Sequence, residues 1–197
     1  MNRSNIILLS VVGFLVLTLL WGVGRYNNLV SLDEGSTGQW ANVESAYQRR
    51  SDLIPNLVNT VKGYAKFERE TLEAVVNARA KATSVSVDPT NLSPEKLAAF
   101  QQAQAGVGSA LSRLLVTVEK YPDLKANQNF LDLQKQLEGT ENRIKVERDR
   151  FNESVKVYNT AVKRFPGKLI AGMTGFAAKG YFEAEAGSEQ APDVNFE

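Results

Sequence analysis

Six large residues recur at intervals of seven: Phe130, Leu137, Ile144, Phe151, Tyr158 and Phe165. Seven residues make two helical turns, so the ladder stacks all six along one side of an α-helix, the stripe of helices packed at small crossing angles as in coiled coils. Two further runs carry the same three–four spacing. One reads Tyr26, Leu29, Asp33, Ser36, Trp40, Val43, Tyr47, Arg50, Ile54, Leu57, Val61, Tyr64, and drifts on through Phe67, Leu72, Val75 and Val76. The other reads Leu97, Phe100, Gln104, Val107, Leu111, Leu114, Val118, Tyr121. No window alternates with period two between turn residues, so no sheet is expected. The pattern predicts an all-α chain whose core is an elongated antiparallel bundle of three long helices, because short connections force successive long helices to reverse direction.

The breaks between the runs are legible. Residues 87–94, VDPTNLSP, hold two prolines. Ser93 suits an N-cap, with Pro94 in the first helical position. Tyr121-Pro122-Asp123 and Phe165-Pro166-Gly167 give two more breaks. Within the first run, Gly35 and Gly38 each cost a helix about 1 kcal/mol relative to Ala, yet the stripe keeps its phase across them. Pro55 either kinks that helix or starts a new one capped by Asp52; the unbroken stripe favours the kink.

Ahead of the stripes lies Ile6 to Val23, eighteen residues without a charge. That meets the lower bound for a transmembrane helix. Trp21 and Tyr26 fall where an aromatic interface belt forms, and Arg25 marks the edge. The rival is a cleaved signal peptide, but the run is long for one and no small-residue cleavage site follows. Arg3 and Arg25 flank the span evenly, which leaves its orientation open. The expected organisation is an anchor over 1–25, a helical bundle over 26–183 and a disordered acidic tail over 184–197.

Composition narrows the chemistry. The chain has no cysteine and no histidine, which excludes disulfides, Cys/His zinc sites, Cys nucleophiles and His-based triads. A net charge of +1 in 197 residues gives no basic field to attract nucleic acid. No phosphate-binding loop or nucleophile elbow is present, and no cofactor is expected. The remaining candidates are polar residues set against the apolar stripes. Arg50 occupies a stripe position, flanked by Arg49 and Asp52; Glu138, Thr140, Glu141, Asn142 and Arg143 interrupt the seven-residue ladder. A lone charge inside a bundle is costly unless paired, so Arg50 is expected to meet Glu141 or Glu138. The resulting layer either fixes helix register or recognises a partner. On sequence alone, Arg50→Met is the damaging substitution and Glu141→Leu its rescue.

The strings Tyr47-Gln48-Arg49-Arg50-Ser51-Asp52-Leu53-Ile54-Pro55-Asn56-Leu57-Val58 and Leu137-Glu138-Gly139-Thr140-Glu141-Asn142-Arg143-Ile144 resemble the bacterial LemA family. So do Trp40-Ala41-Asn42-Val43-Glu44, Tyr121-Pro122-Asp123-Leu124-Lys125-Ala126-Asn127 and Tyr181-Phe182-Glu183. The resemblance implies a bacterial protein with one N-terminal span and a mainly antiparallel helical domain; it supplies no settled activity. Three functions compete: a membrane scaffold or adaptor, a lipid-remodelling assembly, and an enzyme or ligand sensor. The scaffold is expected, in the inner membrane and acting without catalysis, with the bilayer, further copies of itself and an unidentified protein as partners. Leu53, Leu57 and Val58 lie beside the main stripe and supply the apolar surplus that a second copy would cover. The short face Leu169, Ile170, Met173, Phe176 reads as a bundle cap or as a surface for membrane or partner.

Overall fold

A computed structural model describes residues 3–63 and 68–184, and every regular element among them is helical. In chain order these are α1 (Arg3–Lys62), α2 (Arg69–Ser84), α3 (Pro94–Val118), the single turn α4 (Pro122–Lys125), α5 (Gln128–Lys163) and α6 (Gly167–Thr174). Tyr64, Phe67 and the tail beyond Ala184 lie outside the described residues.

Helix α1 runs 60 residues without interruption from the apolar span into the core. None of its span is buried, whereas beyond it Leu29, Ser36, Trp40, Val43, Tyr47, Arg50, Ile54, Leu57 and Val61 all are. The change from exposed to buried falls where the sequence changes from uniform to striped hydrophobicity. Gly35 and Gly38 sit inside the helix on its exposed side.

Helices α1 and α5 pack antiparallel along their length. Leu29 shares a core cluster with Tyr158 and Val162, Trp40 meets Phe151, and Arg50 meets Glu141. Each step of ten or eleven residues along α1 is matched by an equal step back along α5, so one register holds over most of the bundle. Helices α2 and α3 form a second antiparallel pair, with Glu68 before α2 reaching Lys120 just past α3. Ser93 caps α3, its hydroxyl accepting from the Lys96 N–H, and Asn127 caps α5 by accepting from Phe130 N–H.

Three expectations are corrected here. The first run does not continue through Leu72 and Val75 as one helix; α1 ends at Lys62 and those residues belong to α2. The periodicity was continuous because both helices bury a stripe against the same core, where Leu53, Leu57, Val61, Leu72, Val75, Leu114 and Leu137 pack together. For the same reason Leu53 and Val58 are no surplus for a second copy: they are 9% and 5% exposed inside this chain. Phe165 also leaves the ladder. Helix α5 stops at Lys163, and Phe165 is 78% exposed.

Pro55 lies within α1 and does not start a new helix. A proline here leaves the carbonyl one turn back, that of Ser51, without its helical donor. Arg79 of α2 supplies the replacement, Nε donating to Ser51 O at 2.9 Å. Arg79→Met should therefore cost about 1–2 kcal/mol by stranding that acceptor. In a Pro55→Ala background the helix regains its own donor, and the same substitution should cost much less. Urea melts of the four proteins measure the difference; equal costs in both backgrounds would show that Arg79 does not complete the ladder.

Candidate functional site

The polar residues singled out above divide between the two sides of the α1/α5 seam. Arg50, Glu138, Glu141 and Asn142 line an open groove of about 770 Å³ between α3 and α5. Arg49, Asp52, Thr140 and Arg143 line another, about 940 Å³, on the opposite side. The two clusters are therefore not one layer. Consecutive stripe-flanking residues on a helix diverge by 100° each, so neighbours in sequence leave on different faces.

Arg50 is 4% exposed and donates three hydrogen bonds. Its Nη1 donates to Glu141 Oε1 at 2.9 Å; Nη2 donates to the Gln104 carbonyl at 3.0 Å and to Gln104 Oε1 at 2.7 Å. Its guanidinium also lies 5.1 Å from the Tyr47 ring centroid. Glu141 is 46% exposed, so the pair has a buried cation and a wet anion. Burial pushes the Tyr47 phenol up against the opposing charges of Arg148 and Arg50. Glu138 accepts from Gln134, Asp52 accepts from Gln48, and Thr140 turns its hydroxyl back onto the Gln136 carbonyl. Asn142 and Arg49 are exposed.

Arg143 belongs to a different centre, built on Glu147. That carboxylate is 1% exposed and faces Arg143 at 2.7 Å, Arg150 at 3.2 Å and the Gln39 amide at 2.8 Å. Desolvation pushes it up, but the Gln39 hydrogen bond and the two guanidinium charges outweigh that and hold it below its ordinary 4.5. A depressed native pKa stabilises the fold above the unfolded value and loses that contribution as pH falls through the native one. Glu147→Gln should thus be less stable than the natural protein near neutrality, and the gap should narrow on acidification below 4.5. Denaturant melts from about pH 7 to about pH 3 check this; a gap constant with pH would mean Glu147 carries no shifted proton.

A third polar centre lies nearer the apolar span, on a non-helical strap that follows α6. The Lys179 side chain is 5% exposed. Its Nζ reaches Asp33 Oδ1 at 2.9 Å, Ser36 Oγ at 2.7 Å and Thr37 Oγ1 at 3.2 Å, and lies 5.1 Å from the Tyr158 ring centroid. Burial, then the Asp33 carboxylate, push the Tyr158 phenol up to about 12. Side-chain amides hold the strap by its backbone. Asn159 brackets Lys179, Asn152 brackets Phe182 and Gln101 brackets Glu183, each donating to the carbonyl and accepting from the N–H. Phe182 stacks on Trp40 at 6.0 Å and meets Phe151 edge-on at 5.5 Å. Gly180 passes so close to Pro94 that a β-carbon there would come within 2.8 Å of its Cα.

At the end of the span, Arg25 lies 5.8 Å from the Trp21 ring centroid, and Tyr26 meets Phe176 at 5.8 Å. Among the described residues no group of three or more His, Asp or Glu side chains converges as a metal site.

A model of the LemA family matches residues 39–196. The chain belongs to the LemA family. Its relatives include magnetosome protein MamQ of Magnetospirillum gryphiswaldense, 30% identical over 191 residues, which are 88% of this chain and 69% of the relative. Magnetosome protein MamQ 1 of Paramagnetospirillum magneticum is 28% identical over 192 residues, 89% of this chain and 69% of the relative. Protein LemA of Metamycoplasma hominis is 27% identical over 157 residues, 80% of this chain and 65% of that protein. The family match takes in Trp40, the Arg50 and Glu147 centres, and the strap with Lys179 and Phe182; the apolar span lies before it. The all-helical chain with its long apolar N-terminal helix is thus a LemA-family domain behind a candidate anchor.

Proposed function

We propose that this LemA-family chain is a membrane-anchored helical scaffold, held in the bacterial inner membrane by a single span and acting without catalysis. The observation that carries the proposal is the continuity of α1. One helix provides both the exposed apolar span and the stripe that organises the bundle. A bundle joined to its anchor without a flexible linker stands at a set angle to the bilayer and presents its sides to partners. Self-association belongs to the same proposal and is assigned to the span, where Thr18 and Gly22 form a small-xxx-small pair. Intact-mass measurement on membrane-extracted protein tests the anchor; loss of about 20–30 residues, the length of a signal peptide, would refute it. Light scattering in detergent, corrected for the micelle, tests assembly, and a monomer across a wide concentration range would refute that part.

A second reading, ligand sensing, draws on the groove beside Arg50, where Arg148 and Glu138 also line the wall. Its test is calorimetric titration with acidic and basic peptides.

A further inference from the structure

We infer that α6 and the turn before it form a second membrane contact, an amphipathic surface that rests in the headgroup layer of an anionic bilayer beside the span. The inference rests on the reading of Ile6–Val23 as a membrane anchor and goes beyond it by assigning a lipid-binding face to a separate part of the chain.

Register places this surface. Leu29 packs with Val162 near the end of α5, and Tyr26 meets Phe176 just past the end of α6. Tyr26 lies three residues beyond the span, about 4.5 Å at 1.5 Å per residue. Ala171, on the buried side of α6, packs in the Leu29 cluster, about 9 Å beyond the span. A headgroup layer is about 5–7 Å deep on each side of the hydrocarbon. The end of α6 therefore stands at headgroup depth because α1 is one continuous helix.

The chemistry at that depth suits lipid. Leu169 and Met173, one turn apart on α6, are 59% and 86% exposed, and Phe165 in the preceding turn is 78% exposed, whereas Ala171 faces the bundle at 3%. Three large exposed apolar side chains within nine residues are a costly surface to leave in water. Arg25, Lys163, Arg164 and Lys168 are exposed around it, and none makes an ion pair among the described residues. A short apolar face rimmed by Lys and Arg is the pattern of helices that lie in an anionic interface. The α6 contact would give the bundle a second point of attachment and so fix its rotation about the span.

The absence of cysteine makes the test direct. Full-length Met173→Cys, and Val116→Cys as a control on α3 far from the span, are nitroxide-labelled and placed one copy per nanodisc. The nanodiscs contain either phosphatidylcholine alone or a mixture with phosphatidylglycerol. In the anionic discs, label 173 should be several-fold less accessible than label 116 to a water-soluble nickel relaxer and several-fold more accessible to oxygen. Lys163→Gln/Arg164→Gln/Lys168→Gln, or salt raised to about 1 M where screening is nearly complete, should reverse much of that difference. Equal accessibility at 173 and 116 overturns the lipid contact. Protection at 173 that is the same in neutral discs and in the triple variant overturns its anionic character. Shielding from both relaxers means protein covers the face and overturns the inference. The anchor reading is tested separately by a label at Phe14→Cys, which must sit in hydrocarbon in every lipid mixture; failure there, and not at 173, discredits the span itself.

Discussion

Replacing Asp33 by Leu should cost about 3 kcal/mol, and most of that loss should return when Lys179 is changed to Met in the same chain. Lys179 has its ammonium almost wholly out of water, with one carboxylate, two hydroxyls and an aromatic face around it. Removing the carboxylate leaves a buried charge compensated only by neutral groups, and breaking such pairs costs about 3–5 kcal/mol. The low end applies because Asp33 is 30% exposed and the hydroxyls of Ser36 and Thr37 remain. Putting methionine at 179 removes the charge and keeps the apolar stem, so the double variant buries nothing unpaired. Denaturant melts of the full chain in detergent give the cycle. Simple additivity would mean the ion pair does not hold the strap to α1. Lys179→Met alone should cost less than Asp33→Leu, since the carboxylate left behind can hydrate.

That asymmetry bears on what the sequence made legible. Helix positions were readable because burial against one core imposes the three–four stripe. Nine of the expected first-run positions are buried in α1, including the polar Ser36 and Arg50. Breaks carrying prolines and capping residues were readable for the same local reason. The break between Lys62 and Arg69 was not: two helices meeting one core can keep a common phase, and the sequence there carries no proline.

The polar centres were harder to read because they are made by pairing across distance. Arg50 stood out by interrupting a stripe. Glu147 sits at a buried position of α5 one turn from Arg143 and Arg150, a spacing that could have identified it. Lys179 gave no signal. It lies on a segment without periodicity, and its partners are more than 140 residues away in sequence. Tyr181-Phe182-Glu183 carried a resemblance, but the contacts of the strap are similarly invisible, because Asn152, Asn159 and Gln101 read its backbone, and backbone recognition leaves no pattern in the recognised residues. The side-chain amides replace the ladder that a neighbouring strand would otherwise supply.

The Arg50–Glu141 pair reverses the expectation drawn from sequence, since the damaging substitution should be Glu141→Leu. Arg50 is buried and cannot follow its lost partner into water. Its guanidinium would keep only the Gln104 carbonyl and amide oxygen and the Tyr47 face. Losing a hydrogen bond between charged groups at such a site costs about 1.5–3 kcal/mol. Arg50→Met, in contrast, releases a carboxylate that is already 46% exposed and can be hydrated in place. The loss there is the guanidinium's contacts with Gln104, partly offset by an apolar side chain suited to a buried stripe position, and should be about 1–2 kcal/mol. Once Arg50 is gone, Glu141→Leu has no cation to strand, so adding it should change stability little. The coupling measured by urea melts of the four proteins should nearly equal the cost of Glu141→Leu alone. A larger loss for Arg50→Met than for Glu141→Leu would mean that the cation's packing, rather than its charge, holds this part of the seam. Additive losses would mean that Glu141 is not the anion that Arg50 requires.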